Sequence, residues 1–461
     1  MANHIVLIGS GPGGYTAAIR AAQLGAQVTL IEKDALGGTC VNRGCIPTKA
    51  LLQSADVFTQ TKNAATLGIM AKQVSLDFSV VANRKKTLVQ QMVDGIAYLM
   101  KKNKIEVING TGTLLDARTV QILGADRQIS ADNIVIATGS KPARVPIPGA
   151  DEPNVMTSDE ALAMEQLPGS IIIIGGGVVG LEFAQILSTM GTKVTIVEMM
   201  PQILPGEDSE IASMLTEVLK QEGVEIFTDA TVTSIDNAEG QGKAVSFTTK
   251  TGQQEEKKVA EKVLLAVGRS PNTDDLGIDK LGLATDRGKL VVNEWMESNV
   301  PGVYAIGDVV GRLMFAHVAM EEGKHAVENS LGAQHKIDYD AVPRCVYTSP
   351  EMGTVGLTEA QAKERYGDIK VGRFPLSVNA KARIANAAAG IVKIIADANY
   401  GQILGVHIVG PHATELIAEA VLGIRMEATT EDIAATIHAH PTLSEAILEA
   451  DLAAEGRAIN F

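Results

Sequence analysis

The stretch that decides the fold runs from His4 to Glu32 and reads HIVLIGSGPGGYTAAIRAAQLGAQVTLIE. A short apolar run leads into Gly9, Gly11 and Gly14, which have the spacing G-x-G-x-x-G, and a second apolar run ends at Glu32. This order predicts a strand, a tight turn, a helix and a parallel second strand. Unpaired N–H groups and the dipole at the start of that helix favour a phosphate. The stretch therefore predicts a dinucleotide-binding unit.

The same pattern recurs from Ser170 to Glu198, as SIIIIGGGVVGLEFAQILSTMGTKVTIVE. In both copies the acidic residue lies 18 positions after the last glycine of the motif. In both copies a later apolar run ends in a small-residue turn, at Gly139 and at Gly268. One such motif could be a glycine-rich turn of any α/β protein, but two copies with matching acids favour two nucleotide sites. We therefore expect two nucleotide cofactors, or one cofactor and one nucleotide substrate.

Length and composition indicate a globular protein with about three domains, since 461 residues contain 46% hydrophobic and 20% charged residues. The formal net charge is −14 without a basic tract, which argues against nucleic acid as the main partner. No run reaches the roughly 18 apolar residues that would span a bilayer, so no membrane partner is expected. The first residues lack the basic leader of a signal peptide, and we expect a cytoplasmic location.

Two of the three cysteines lie close together in the run GGTCVNRGCIPTK, residues 37–49. The glycines predict a tight turn outside regular structure, and residues 46–57 are predicted to be helical. Cys45 would then lie near a helix N-terminus, where a thiolate is stabilised. Cys40 and Cys45 are therefore candidates for redox chemistry.

Other interpretations of this pair remain. A zinc site needs about four ligands, which the surrounding sequence lacks, so no metal is expected. A structural disulfide is disfavoured in the cytosol, and two unrelated buried thiols are the remaining alternative. The distant Cys345 is expected to be inert, because a free cysteine usually packs as a small apolar residue.

Two further motifs follow the cysteine pair along the chain. VYAIGD ends at Asp308, and HAHPTLSE, residues 438–445, contains His440 and Glu445. Together with the glycine motifs and the cysteine run, these stretches resemble the signatures of the class I pyridine nucleotide-disulfide oxidoreductases. The resemblance covers essentially the whole chain.

The resemblance implies FAD at the first glycine motif and NAD at the second. The residues it assigns to FAD are Gly9, Gly11, Gly14, Glu32, Lys49, Gly112, Asp308 and Ala316. The residues it assigns to NAD are Gly175, Gly177, Gly180, Glu198, Val232, Ala266 and Arg269. Simpler roles compete for three of these residues, because Asp308 could cap a following helix, Lys49 could be a solvated lysine and Glu198 could be a surface acid.

The resemblance also implies the catalytic residues. These are Cys40, Cys45, His440, Glu445, Lys49 and Glu182. In this arrangement Cys45 faces the flavin, Cys40 exchanges with the substrate, and Lys49 lies beside the flavin in an ion pair with Glu182. His440 is the acid/base and Glu445 orients it.

Residue types alone do not separate His440 from the neighbouring His438. The family pattern selects His440, which directly precedes a proline. The stretch from Thr442 to Glu445 is also a good capping box, and this role is compatible with the catalytic one.

The sequence after Glu198 favours NAD over NADP. It reads Met-Met-Pro-Gln, without the cation that a 2′-phosphate requires, and the carboxylate itself would repel that phosphate. The C-terminal motif most resembles the family members that oxidise dihydrolipoamide, although Thr48 stands where serine is commoner. Another NADH-dependent disulfide reductase of the family is the alternative. A non-catalytic FAD-binding protein is disfavoured by the intact cysteine pair and His440.

We expect an α/β fold with two Rossmann-like dinucleotide-binding domains, for FAD and NAD, and a C-terminal α/β dimerisation domain. The expected ranges are 1–144 and 273–342 for FAD binding, 145–272 for NAD binding and 343–461 for dimerisation. The resemblance implies a homodimer in which His440 lies opposite the disulfide of the other subunit. It also implies that a lipoyl-bearing protein of a 2-oxo acid dehydrogenase or glycine cleavage complex donates electrons to Cys40–Cys45, FAD and NAD in turn.

Overall fold

The computed structural model describes residues 3–250 and 255–461, and within them three five-stranded sheets organise the chain. The first two sheets are parallel, and the third is antiparallel. Two Rossmann-like units are therefore followed by a C-terminal α/β unit, which confirms the predicted fold class.

The first parallel sheet contains the strand-turn-helix-strand unit predicted from the opening motif. Across the sheet the strands are Val303–Ala305, Asn133–Ile136, His4–Ile8, Gln27–Glu32 and Glu106–Asn109. The helix Pro12–Gln23 packs against the helix Ala316–Ser330, which covers the sheet from a distant part of the chain. Strand Val303–Ala305 joins the sheet in the same way, so the later segment belongs structurally to the first unit.

The second parallel sheet repeats this order. Its strands are Glu225–Phe227, Lys193–Val197, Ser170–Ile174, Lys262–Leu265 and Val155–Met156. The central strand is a run of four isoleucines, each at most 5% exposed. Such a continuous apolar run is typical of a parallel strand that is covered on both faces.

A three-stranded antiparallel meander accompanies each parallel sheet. The first has the strands Gly112–Asp116, Thr119–Ile122 and Arg127–Ser130, and the second has Ala230–Asn237, Lys243–Thr249 and Glu255–Ala260. The two connections between the units lie side by side, because Ser140–Pro142 pairs with Arg269–Pro271. The duplication therefore extends well beyond the glycine motifs.

The antiparallel sheet forms the C-terminal unit. Its strands, in order, are Arg344–Val346, Glu351–Gly356, Ile403–Gly410, Ile391–Asp397 and Ile369–Pro375. The helices Ala413–Arg425 and Glu445–Ala454 pack on it. Further elements of the chain are the helices Gly38–Arg43, Cys45–Lys62, Phe78–Lys102, Ser158–Ala163, Val178–Thr189, Ser209–Gln221, Ile278–Leu281, Glu359–Tyr366, Ala380–Ile384 and Thr430–Ala435, and the ribbon Thr285–Asp286 with Lys289–Leu290.

A buried ion cluster fixes the C-terminal unit to the second Rossmann-like unit. The ammonium of Lys393, whose side chain is 2% exposed, lies 2.8 Å from the carboxylate of Asp208 and 2.9 Å from those of Glu210 and Glu359. A buried cation is tolerated only when carboxylates compensate its lost hydration. The cluster therefore favours one relative placement of the two units.

The glycine loops are tight in both repeats. Gly9 has a φ of +103°, and a Cβ atom there would lie 2.3 Å from the carbonyl oxygen of Ala137. Gly175 has a φ of +110°, and its Cβ would lie 2.4 Å from the carbonyl oxygen of Ala266. No side chain fits either position, so the sharp turn from strand to helix requires glycine.

The matched pair Gly175→Ala and Gly177→Ala tests this account of the loop. Gly175→Ala should lower the apparent midpoint of thermal unfolding by several degrees, because strain at such a position costs about 1–3 kcal/mol. Gly177→Ala should leave the midpoint nearly unchanged, since among the described atoms its Cβ would meet none within 4 Å. Equal midpoints for both variants would show that the loop is not strained as described.

Candidate active site

The helices that follow the two glycine motifs begin without a side-chain cap. Pro12–Gln23 starts after Gly11, and Val178–Thr189 starts after Gly177. A Cβ atom at either glycine would contact nothing within 4 Å in the described part of the chain. Bare backbone, free N–H groups and a positive helix end fit a pyrophosphate. The residues present therefore fit the phosphates of both FAD and NAD.

The third glycine of each motif packs helix against strand. A Cβ at Gly14 would lie 2.0 Å from the carbonyl oxygen of Gly9, and one at Gly180 would lie 2.1 Å from that of Gly175. The helix start is therefore held directly over the end of the strand, as the motif predicts.

The two acids at the strand ends hold their own glycine loops. Glu32 Oε2 accepts hydrogen bonds from the backbone N–H of Ser10 at 2.8 Å and from its hydroxyl at 2.6 Å. Glu198 Oε2 accepts from the N–H of Gly176 at 2.6 Å, and Oε1 accepts from that of Met200 at 2.7 Å. Each carboxylate oxygen has two lone pairs, so both acids retain capacity for ribose hydroxyls.

Of four other residues expected at the cofactors, three lie at the starts of elements or beside the glycine loops, and the fourth lies within a strand. Gly112 begins the first meander, and its Cβ would lie 3.4 Å from the side chain of Ile8 in the central strand. Ala316 begins the helix Ala316–Ser330, which has no side-chain cap. Ala266 contacts the second glycine loop through its carbonyl, whereas Val232 lies in the second meander and packs against its core.

Asp308 and Arg269 were expected at different cofactors, but the structure brings them together. The Ser140 hydroxyl donates to the carboxylate of Asp308 and accepts a hydrogen bond from Arg269 Nε at 2.6 Å. The guanidinium lies 3.8 Å from the same carboxylate. The simpler role for Asp308 is wrong, since the following helix begins after Phe315 without a side-chain cap.

Glu322 was not predicted from the sequence, although it fixes the turn that carries Asp308. Its side chain is 1% exposed and accepts hydrogen bonds from the N–H of Gly307 at 2.6 Å and from the hydroxyl of Tyr339 at 2.8 Å. Burial raises the pKa of Glu322 above its usual value. In the sequence, the signal for Glu322 is an acidic residue on the apolar face of a helix.

Cys40 and Cys45 form a disulfide, with their Cα atoms 4.7 Å apart. Cys45 begins the helix Cys45–Lys62, which confirms the predicted helix N-terminus. Two expectations were wrong. Cys40 lies in the short helix Gly38–Arg43 and not in irregular chain, and the second helix ends at residue 62 and not near 57. Gly44 joins the two helices, and a Cβ atom at Gly44 would lie 3.2 Å from the Cα of Cys40.

The redox segment, residues 37–49, packs directly on the first glycine loop. A Cβ at Gly38 would lie 2.7 Å from the Cα of Gly11, and the N–H of Gly37 donates to the carbonyl of Ser10 at 3.1 Å. The side-chain amide of Asn42 donates to the carbonyl of Gly38 at 2.9 Å and closes the turn of the first helix. This contact adds a side-chain hydrogen bond to the short helix Gly38–Arg43.

Lys49 and Glu182 form the expected ion pair, with the ammonium 2.9 and 2.8 Å from the two carboxylate oxygens. Lys49 lies one helical turn after Cys45, so both side chains lie on one face of the helix. Glu182 lies in the helix that follows the second glycine motif, so the pair joins the first Rossmann-like unit (the FAD unit) to the second (the NAD unit). Tyr347, which was not predicted, places its ring 4.4 Å from the ammonium.

The structure separates the two candidate histidines. The side chain of His438 is 4% exposed, and its two nitrogens lie 2.9 Å from the carbonyl of Thr436 and 2.8 Å from the carboxylate of Glu419. The side chain of His440 is 73% exposed, and its Nδ1 lies 2.8 Å from Glu445 Oε1. One nitrogen held by a carboxylate and the other open to solvent is the arrangement of a general acid/base.

Glu445 combines its contact with His440 with part of the expected capping box. Its Oε2 accepts a hydrogen bond from the N–H of Thr442 at 2.8 Å, but the Thr442 hydroxyl donates to the carbonyl of Ala439. The box is therefore half-formed, and the helix begins at Glu445 itself. Burial opposes ionisation, but the hydrogen bonds from Thr442 and His440 hold the pKa of Glu445 below its usual value.

Cys345 lies on the edge strand of the C-terminal sheet and is partly buried. Burial and the neighbouring Glu351 raise the pKa of Cys345 to about 11, so the thiol is protonated near neutral pH. A protonated thiol is a poor nucleophile, which agrees with the expected inert role.

Residues 3–250 and 255–461 contain no group of three or more histidine, cysteine or acidic side chains that could hold a metal ion. None of the helices described is long and apolar enough to cross a membrane.

Known proteins resemble this chain over its whole length. The dihydrolipoyl dehydrogenase of Bacillus subtilis (strain 168) is 43% identical over 99% of both chains. The mitochondrial dihydrolipoyl dehydrogenase of Pisum sativum is 41% identical over 100% of this chain and 93% of its own. Among solved structures, LpdA from Mycobacterium tuberculosis has a TM-score of 0.90 at 30% identity, covering 98% of this chain and 99% of its own.

A second solved structure, the HOCl-induced flavoprotein disulfide reductase RclA from Escherichia coli in complex with Cu(II), has a TM-score of 0.86 at 29% identity. It covers 98% of this chain and 99% of its own. Residues 3–323 match the family model described as pyridine nucleotide-disulphide oxidoreductase, and residues 342–451 match the model of its dimerisation domain. The chain belongs to the pyridine nucleotide-disulphide oxidoreductase family.

Proposed function

We propose that this chain oxidises a dihydrolipoyl group to its disulfide and reduces NAD, with FAD as the carrier between them. The observation that carries the proposal is the Cys40–Cys45 disulfide, seated against the first of two uncapped dinucleotide loops. Relatives named dihydrolipoyl dehydrogenase, 41–43% identical over nearly all of this chain, support the same activity. The enzyme is an NAD-dependent flavoprotein that acts on a sulfur donor.

The reaction begins with exchange between the substrate dithiol and the disulfide. His440 takes a proton from one substrate thiol, and the resulting thiolate attacks the sulfur of Cys40. The Cys40–Cys45 bond breaks and leaves Cys45 as a thiolate. The second substrate thiol then attacks the mixed disulfide, which closes the oxidised substrate and releases Cys40. The substrate has lost two electrons, and the cysteine pair has gained them.

Cys45 is the thiol that faces the flavin. Its position at the first residue of a long helix favours the thiolate, because free N–H groups and the helix dipole stabilise negative charge. Lys49 places a positive charge one turn further along the same face. FAD held at the first glycine loop would supply the two-electron chemistry between the cysteine pair and NAD. The Cys40–Cys45 disulfide would re-form, its two electrons and one proton would reach NAD as a hydride, and the second proton would be released.

Glu445 prepares His440 for proton transfer. The carboxylate accepts a hydrogen bond from the Nδ1–H of His440, so Nε2 is the nitrogen that takes the substrate proton. An ionised Glu445 also stabilises the imidazolium that forms. Loss of such a general acid/base typically lowers the rate by roughly 10²–10⁴-fold.

The acid/base serves the disulfide of the other subunit of a homodimer. In the described chain no hydrogen bond or ion pair joins His440 to residues 37–49, and its side chain is 73% exposed. Large apolar side chains are exposed on the same C-terminal unit, with Ile437 at 97%, Met426 at 71% and Leu422 at 63%. Exposed apolar groups of this kind mark an interaction surface, and residues 342–451 match a dimerisation domain.

The substrate arrives on another protein in the cytoplasm. A lipoyl-bearing protein of a 2-oxo acid dehydrogenase or glycine cleavage complex is the expected partner. Glu198 makes NAD the acceptor, since its buried carboxylate would face the 2′-phosphate of NADP.

A second candidate is an NADH-dependent reductase of another disulfide. The structural similarity to the flavoprotein disulfide reductase RclA favours it. Both candidates use the same cysteines and cofactors, so the substrate decides between them.

Steady-state assays with purified holoenzyme distinguish the two candidates. Dihydrolipoamide with NAD should be turned over at least tenfold faster than oxidised glutathione or cystine with NADH. A tenfold ratio corresponds to a difference of roughly 1.4 kcal/mol between the two activation barriers. NADP should replace NAD poorly. Faster turnover of another disulfide with NADH than of dihydrolipoamide with NAD would favour the second candidate, and equal use of NADP would contradict the role of Glu198.

Mixed dimers test the shared site. Cys45→Ser and His440→Gln homodimers should both be inactive with dihydrolipoamide, because each site lacks a thiol or an acid/base. In a heterodimer one site carries both substitutions and the other carries neither, so about half of the activity of the unmodified dimer should return.

The control for this experiment is exchange between two differently tagged Cys45→Ser chains, which should restore nothing. If isolated heterodimers remain inactive while both homodimers fold and retain FAD, the site is built within one chain and the shared arrangement is wrong.

A further inference from the structure

The chain just after the first strand of the C-terminal sheet crosses the helix Val178–Thr189 of the NAD unit. The N–H of Tyr347 donates to Glu182 Oε1 at 3.2 Å, and the N–H of Ser349 donates to Gln185 Oε1 at 3.4 Å. The acceptor residues Glu182 and Gln185 are only 3% and 5% exposed. The segment is therefore docked on the helix whose carboxylate pairs with the lysine of the redox segment.

The ring of Tyr347 lies against that lysine. The ammonium of Lys49 is 4.4 Å from the ring centroid, within the distance of about 6 Å at which a cation and an aromatic face attract each other. The same ammonium contacts both oxygens of Glu182. A lysine has a flexible stem and three rotatable donors, so one carboxylate alone does not define its position. The ring supplies the second constraint.

Three parts of the chain meet at this contact. Lys49 belongs to the FAD unit, Glu182 to the NAD unit and Tyr347 to the C-terminal unit. Lys49 also lies one turn after Cys45, so its charge is placed relative to the thiol that faces the flavin. The position of the charge therefore depends on how the C-terminal unit is docked.

We propose that Tyr347 is a positioning residue that fixes the Lys49 ammonium, and with it the positive charge beside Cys45 and the flavin. This inference rests on the proposed function. It gives the C-terminal unit two roles, because it supplies His440 to the other subunit and Tyr347 to its own.

The contact depends on the aromatic face and not on a charged phenolate. Burial, together with the neighbouring Cys345, raises the pKa of Tyr347 to about 12. The ring is therefore a neutral phenol under assay conditions. A phenylalanine would retain the face, whereas an aliphatic side chain would remove it.

A double-mutant cycle in the FAD-loaded enzyme tests the proposal. The four proteins are the unmodified chain, Tyr347→Leu, Lys49→Met and the double variant. Each is reduced anaerobically with dihydrolipoamide, and the long-wavelength thiolate–flavin absorption band and kcat are measured. Tyr347→Leu should shift the band and lower kcat by roughly two- to tenfold, with little change in KM.

Coupling is the decisive result. If Tyr347 acts through Lys49, the leucine change should have no further effect on band or kcat once Lys49 is methionine. Tyr347→Phe should behave like the unmodified enzyme. Tyr400→Leu is the matched control, because this tyrosine of the C-terminal unit is 85% exposed and should alter neither readout.

Independent, additive effects of the two changes would overturn the proposal, and so would a Phe variant as impaired as the Leu variant. If Tyr347→Leu does not retain FAD, Tyr347→Met replaces it in the cycle, because methionine fills similar space without an aromatic face. The band can also be formed with NADH as the reductant. A chain that fails to turn over dihydrolipoamide but shows the coupled band shift would contradict the proposed function and leave the role of Tyr347 intact.

Discussion

The close approach of two backbone segments at the first glycine loop is the constraint on which the site depends. Gly38 lies so near Gly11 that a Cβ would stand 2.7 Å from the facing Cα. This contact begins the redox segment on the loop that fits a pyrophosphate, and the disulfide follows within a few residues. Backbone contact thereby sets where the two sulfurs lie relative to this loop.

The second repeat and the C-terminal unit build outward from that point. Glu182, in the helix after the second glycine loop, pairs with Lys49 from the redox helix, and Tyr347 closes the contact from the C-terminal sheet. The buried Lys393 cluster separately joins the NAD unit to the C-terminal unit. Ion pairs, and not only apolar contacts, therefore join the units around the disulfide.

Local features were predictable from residue patterns, whereas long-range contacts were not, apart from the Lys49–Glu182 ion pair that the family resemblance implied. The glycine loops, their acids and the helix start at Cys45 follow from short patterns with a direct physical meaning. The helical turn around Cys40 was missed because the flanking glycines predicted a tight turn outside regular structure. The contact of Arg269 with Asp308, the clamp by Glu322 and the ring of Tyr347 join residues that tertiary packing brings together, and no local pattern encodes them. Residue types alone did not separate His440 from His438; the family resemblance selected His440, and the burial of the His438 side chain adds a physical reason for that choice.

The central claim is that electrons enter through Cys40 and reach the flavin from Cys45. The variants Cys40→Ser and Cys45→Ser, each loaded with oxidised FAD and kept anaerobic, test it most directly through the long-wavelength thiolate–flavin band, with the unmodified enzyme after two-electron reduction as the reference. Cys40→Ser should show the band, because the thiolate of Cys45 remains beside the flavin, and Cys45→Ser should lack it. The reverse pattern would exchange the two roles, and absence of the band in both variants and in the reduced unmodified enzyme would contradict the redox pair itself.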